Sequence, residues 1–118
     1  MALQAVLERV AAGVDGVLGV GMTGLDGILV AQLRKSGDFD LSAVGAEYAA
    51  VVKGARRAFE SLGVSPMQEI LVTTERANVL LASCGRDYFV TLAIDVSGNL
   101  GRGRLELKRA LPELEKEV

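Results

Sequence analysis

Three β-rich runs follow one another in the second half of the chain, Met67–Thr74, Asn78–Cys84 and Tyr88–Asp95. Only Glu75-Arg76-Ala77 and Gly85-Arg86-Asp87 separate them. A parallel crossover needs roughly a dozen residues or more, so links this short force the runs to pair antiparallel, as a meander. Ile70-Leu71-Val72 and Val79-Leu80-Leu81-Ala82 are apolar at consecutive positions rather than alternate ones. Such strands are covered on both faces, so the sheet must carry helices on each side.

The rest of the chain supplies them. Leu3, Val6, Leu7 and Val10 recur at helical spacing, and Gly13 follows as a stop. Val17–Thr23 alternates as a strand, Thr23-Gly24-Leu25-Asp26-Gly27 is turn chemistry, and Ile28–Leu33 is a second strand, so the pair predicts a hairpin. Ser36-Gly37-Asp38-Phe39-Asp40 is a loop whose last residue suits a helix cap. Leu41–Leu62 is the longest periodic segment. Leu41, Val44, Tyr48, Val51, Val52, Ala55, Phe59 and Leu62 make its expected core stripe, and Gly63 and then Pro66 end it. A last helix is expected from near Asn99 to about Glu117, with Leu100, Leu107, Leu111 and Leu114 on its apolar face. Gly101 and Gly103 weaken its start, and Pro112 is expected to kink or shorten it.

The order is therefore α-β-β-α-β-β-β-α. It predicts an α+β sandwich of five antiparallel strands, with the middle helix on one face and the two terminal helices on the other. At 118 residues, the expectation is one domain over 1–118.

Composition narrows function by exclusion. Half of the residues are hydrophobic, which excludes a disordered chain. The longest uncharged run, Gly16–Leu25, is ten residues, against about 20 for a membrane-spanning helix. The early Glu8-Arg9 pair and the lack of a basic leader argue against a signal peptide. Thirteen basic against fifteen acidic residues give a net charge of −2, not the basic surface that nucleic acid requires. Histidine is absent, which removes the commonest general base and imidazole metal ligands. The single Cys84 permits no intrachain disulfide and no cysteine-rich zinc site. We therefore expect a cytoplasmic interaction protein with no cofactor, no metal, no small-molecule substrate and no catalytic residues of its own.

Three short motifs invite chemistry and are better read otherwise. Gly19-Val-Gly21-Met-Thr-Gly24 matches a dinucleotide fingerprint, but that reading needs a helix next, and a strand follows. Glycines that admit a closely packed helix, plus a hairpin turn, explain the match. Gly101-Arg102-Gly103-Arg104 is too short for a phosphate-binding stripe and reads as a solvated helix start. Cys84, at a strand end with no adjoining base, reads as a small semi-buried residue.

The informative feature is the back of the middle helix. At 100° per residue, the face about 140° to 220° from Leu41 carries Ala43, Ala46, Ala50, Gly54, Arg57 and Ser61. An ordinary exposed face would carry Lys, Glu and Gln. Lys53, Arg56 and Glu60 flank one side of it, and Glu47 the other. A glycine inside a helix costs about 1 kcal/mol relative to alanine, and close approach of another backbone would account for Gly54. The candidate partner surface is accordingly Ala43, Ala46, Ala50, Lys53, Gly54 and Arg57.

With these residues, the chain resembles the roadblock/LC7 family, in particular its bacterial gliding-motility protein B group. The resemblance runs from Gly16-Val-Leu-Gly-Val20 through Asp26-Gly27 to Ile28-Leu-Val-Ala31. It continues through Ile70-Leu-Val-Thr-Thr74, Val79-Leu-Leu81 and Tyr88-Phe-Val-Thr-Leu-Ala-Ile-Asp95 into Asn99-Leu-Gly101 and Leu105-Glu-Leu-Lys-Arg109. Gly103 and Pro112 depart from the pattern and bear on the length of the last helix. The resemblance implies strand order 2-1-5-4-3. It also implies a homodimer whose third strands pair edge to edge and whose middle helices lie side by side, with a small Ras-like GTPase bound across them. The dimer contact would fall on Ile70, Leu71, Val72 and Thr73. The residues agree, since that run holds no lysine or mid-strand proline to blunt an edge.

The function expected is therefore a regulatory partner of a small Ras-like GTPase, changing its hydrolysis or nucleotide state without donating a catalytic group. The alternatives are a scaffold subunit that leaves hydrolysis alone and, from another class, a small-ligand sensor. The last requires an apolar pocket with convergent polar groups.

Overall fold

The structure, a computed structural model, describes residues 2–118. In chain order the elements are α1 (Ala2–Ala12), β1 (Val17–Gly24), β2 (Leu29–Arg34), α2 (Leu41–Leu62), β3 (Glu69–Thr73), β4 (Ala77–Cys84), β5 (Tyr88–Asp95) and α3 (Leu100–Glu115). The five strands form one antiparallel sheet in the order β2-β1-β5-β4-β3, the order that the resemblance implies.

Each face of the sheet has its own core. Val20 and Met22 of β1, Leu80 and Ala82 of β4, and Val90, Leu92 and Ile94 of β5 point to one side. There they meet Val6, Leu7 and Val10 of α1 and Leu107, Ala110 and Leu114 of α3. Val79, Leu81, Phe89 and Ala93 point to the other side, where Ala49 and Val52 of α2 cover them. Consecutive apolar residues in β4 and β5 are thus both used, one for each layer.

Local chemistry sets the ends of α2. Asp40 accepts from the backbone N–H groups of Ser42 at 3.0 Å and Ala43 at 3.2 Å, satisfying two donors that the first turn leaves free. Gly63, at φ 69°, closes the other end by donating to Glu60 O, while Val64 donates to Phe59 O. Glycine is needed there because a side chain disfavours that backbone region.

The glycines of β1 admit α2 rather than a phosphate. A Cβ on Gly19 would lie 2.9 Å from Leu41 Cδ1, and one on Gly21 would lie 3.2 Å from Leu29 Cδ1 and 3.6 Å from Leu41 Cδ1. Gly24 ends the strand, where Asp26 Oδ1 would stand 2.5 Å from an added Cβ.

The last helix ends close to the expected Glu117. It does not stop at Pro112 but runs on to Glu115. Proline forgoes one N–H and so removes the bond that the carbonyl four residues back would accept. Buried Leu107, Ala110 and Leu114 hold the helix to the sheet on both sides of that gap. Its start is firm as well: Asn99 Oδ1 accepts from Arg102 N at 3.0 Å. Gly103 has a packing reason, since a Cβ there would collide with Ile94 Cδ1.

The core stripe of α2 also needs correction. Its buried residues are Leu41, Gly45, Ala49 and Val52, so the buried line is centred nearer Gly45 than the apolar stripe suggests. Val51 is 46% exposed, Phe59 39% and Leu62 73%. No helix among the described residues is long and apolar enough to cross a membrane.

Candidate partner surface

The sheet leaves the second half of α2 largely uncovered. A helix of 22 residues is about 33 Å long, whereas a strand of eight spans about 26 Å. From Lys53 to Leu62 no residue is buried, and only Ala55 and Arg56 are half-buried. Arg56 ties this stretch down. Its Nη1 donates to Arg86 O at 2.6 Å, and its Nη2 lies 3.4 Å from both Gly85 O and Tyr88 O. Arg56 is therefore a clamp on the β4–β5 turn, not part of an outward charged flank.

Every residue of the candidate set, Ala43, Ala46, Ala50, Lys53, Gly54 and Arg57, is exposed. Ala46 also backs the β1–β2 turn, where a Cβ on Gly27 would stand 3.6 Å from Ala46 Cα. Gly54 has nothing within 4 Å of an added Cβ, so nothing in its own chain requires a glycine there. Lys53 and Arg57 form no ion pair among the described residues. Beside this small-residue strip, α2 presents Val51, Ala58, Phe59 and Leu62, also exposed. Periodicity alone assigns Val51, Phe59 and Leu62 to the core. The length of the helix relative to its sheet is the signal that Phe59 and Leu62 overhang, whereas Val51 is turned aside from the buried line that Val52 belongs to.

The two sheet edges are built differently. On β2, Gln4 of α1 donates its side-chain N–H to Gln32 O at 3.0 Å. The β1–β2 register also shifts between Met22 and Thr23, leaving Val30 as an extra residue. A bulge and a covering side chain both spoil an edge for pairing. By contrast, β3 is regular, with an unshifted register against β4 from Glu69↔Ala82 to Thr73↔Asn78. Ile70 and Val72 are half-buried on the α2 side, while Leu71 and Thr73 are exposed on the other.

A groove of about 620 Å³ runs between β3 and α3, over Met67, Ala82, Leu107 and Leu111. Its polar groups do not converge on a ligand. Arg104 Nε meets Glu69 Oε2 across it at 2.8 Å, so those two charges satisfy each other. Cys84 is fully buried beneath the sheet, and burial pushes its thiol up to about 11, with the Glu115 charge adding to the rise. A thiol held protonated is a poor nucleophile. Among the described residues, no group of three acidic, Cys or His side chains could hold a metal ion.

A family model described as the Roadblock/LC7 domain matches residues 3–93. The chain is 31% identical over 101 residues to the uncharacterized protein MJ0714 of Methanocaldococcus jannaschii, covering 86% of this chain and 84% of that protein. Among solved structures, Myxococcus xanthus MglB superposes with a TM-score of 0.88 at 18% identity, over 98% of this chain and 86% of that one. MglC from the same organism gives 0.72 at 32% identity, with both chains covered in full. The gliding protein mglB of Thermus thermophilus gives 0.85 at 19%, over 98% of this chain and 87% of that one.

Proposed function

The chain belongs to the Roadblock/LC7 domain family, and on that premise we propose that it is a homodimeric regulatory partner of a small Ras-like GTPase. The GTPase docks on the outer face of α2, at Ala43, Ala46, Ala50, Lys53, Gly54 and Arg57. The observation that carries this reading is the exposed strip of Ala43, Ala46, Ala50 and Gly54 along α2, small and uncharged where a solvated face would carry Lys, Glu and Gln. The self-contact lies along β3, at Ile70, Leu71, Val72 and Thr73, because that edge alone is left regular and open. Val51, Phe59 and Leu62 extend it onto α2.

The chain acts on hydrolysis or nucleotide state by positioning groups that the GTPase already owns. GTP hydrolysis is largely positioning and charge stabilisation, so a partner that favours one arrangement of the GTPase changes its rate. Arg57 steers an acidic patch rather than entering a nucleotide site. The protein has no catalytic group, cofactor or metal of its own and works in the cytoplasm.

A binding assay with small GTPases from the same source, each loaded with GDP or a non-hydrolysable GTP analogue, tests the reading. Retention of one nucleotide form, with a changed hydrolysis or exchange rate, is the expected result. Retention with unchanged rates assigns a scaffold role instead. Retention of no GTPase in either form overturns the proposal.

A further inference from the structure

Five strands are more than two helices can cover. Strands lie about 4.8 Å apart and packed helices about 10 Å apart, so each helix screens about two strands. On one face of the sheet α1 lies over β1 and β2, and α3 over β4 and β5. The edge strand β3 lies beyond them on that face. The shortfall is the groove of about 620 Å³ beside α3, with Met67, Ala82, Leu107 and Leu111 inside it. Ala82 deepens the floor, because it is the short side chain between Leu80 and Cys84 on the same side of β4. Exposed Leu71 continues that floor along β3.

We infer that this groove holds an amphipathic α-helix of a partner protein, laid along α3 as the third helix of that layer. What is open here is a sheet face, and a face is covered by side chains packed down from a helix. The groove's polar groups stand on its rim instead of converging inside, which is the pattern of a protein interface and not of a small-ligand pocket. Its wall runs from Arg104 to Glu115 of α3, a length of about 17 Å, or three helical turns. The groove is on the opposite side of the sheet from α2, so a GTPase on α2 and this helix bind at once, and the chain joins two proteins.

The rim charges specify the partner's chemistry. Arg104 and Glu69 neutralise each other at one end. Lys108 and Glu115 also line the groove and are exposed, and neither forms an ion pair among the described residues. They stand about two turns, or about 10 Å, apart on α3. The complementary helix therefore carries an apolar stripe at i, i+3, i+4 and i+7, an acidic residue level with Lys108, and a basic residue two turns away, level with Glu115. Pro112 adds an acceptor to the same wall. It has no N–H to give Lys108 O, so a polar side chain of the partner helix supplies that donor.

Selection of displayed peptides against the full chain tests this. The probes are peptides of about 16 residues, long enough to span the groove as a helix, tiled from the proteins of the same source. The expected binders share the apolar stripe and the two charges, and they turn helical on binding by circular dichroism. They shift the methyl resonances of Met67, Ala82 and Leu111 and leave those of Ala46 and Ala50 in place. Lys108→Glu, an exposed change that keeps the fold, should weaken them about fivefold or more. Changing the peptide's acidic residue to lysine should then restore the loss. Glu115→Lys, with the peptide's basic residue changed to glutamate, repeats the exchange at the other end. Selection of no peptide overturns the inference. So does a binder that stays extended, one whose shifts fall on α2, or one that ignores both charge reversals. The α2 face is judged separately, by GTPase binding.

Discussion

Gly45 of α2 lies directly over Thr23 of β1, so close that a methyl group on the glycine would stand 2.6 Å from Thr23 Oγ1. The threonine is 1% exposed, and its hydroxyl has no hydrogen-bond partner among the described residues. Helix and strand touch here because neither carries bulk at the crossing. The approach leaves a hydroxyl with nowhere to donate.

Both residues give a measurable consequence. Gly45→Ala should destabilise the fold by about 1–3 kcal/mol through overpacking, despite the roughly 1 kcal/mol that alanine gains as a helix former. Thr23→Val keeps the shape and removes the stranded hydroxyl, so it should stabilise by about 1 kcal/mol. Urea melts of the two variants check the opposite signs.

Gly54 should respond differently from Gly45 although both sit inside the same helix. With open space around it, Gly54→Ala should stabilise the isolated protein by about 1 kcal/mol. Ala50→Arg, on the same exposed side, should shift stability by no more than about 0.5 kcal/mol. If that side is a close-packed interface, the arginine should weaken GTPase binding at least tenfold, since each 1.4 kcal/mol is about a factor of ten. Lys35→Ala, in the loop, is the control. Full GTPase binding by Ala50→Arg rejects the site. Loss of the dimer without loss of the fold gives the face to the subunit contact.

Removing the Arg56 clamp should loosen one end of the molecule selectively. Arg56→Ala frees the carbonyls of Gly85, Arg86 and Tyr88, at a cost of about 1–2 kcal/mol. Amide exchange should quicken in Lys53–Leu62 and around Gly85, while β1 and β5 keep their protection. Uniform loss across the sheet would mean that Arg56 supports the whole core.

Cys84 makes stability fall at alkaline pH. Burial holds its folded thiol protonated up to about 11, against an ordinary value of 9.0. Between those values the folded state binds more protons than the unfolded one, so the stabilisation is full below pH 9.0 and is lost as pH rises toward about 11. Cys84→Ala should flatten that slope. A thiol reagent at neutral pH should label the native protein only as fast as it opens.

Much of the fold is legible in the sequence because it is local or periodic. The short links dictate an antiparallel meander, Asp40 and Gly63 bound α2, and the glycines of β1 predict a close helix. What misleads is the context of each side chain. Phe59 and Leu62 continue the apolar stripe of α2, and periodicity cannot tell that the sheet beneath them has ended, while Val51 is turned aside beside fully buried Val52. Arg56 reads as a flanking charge because its carbonyl partners lie about thirty residues away, on a turn. Pro112 and Gly103 read as weaknesses of α3, yet tertiary packing on Ile94, Leu107 and Leu114 outweighs propensity at both.

The bond from Gln4 to Gln32 O is a small thing with a large effect on what the protein can become. A sheet with two open edges polymerises: β3 of one molecule meets β2 of the next, head to tail, and a contact that does not close on itself repeats without limit, as a fibre. The amide from α1 and the bulge at Val30 together leave β2 without a regular free edge. Pairing through β3 then has no second edge to continue it, and the assembly is counted rather than endless.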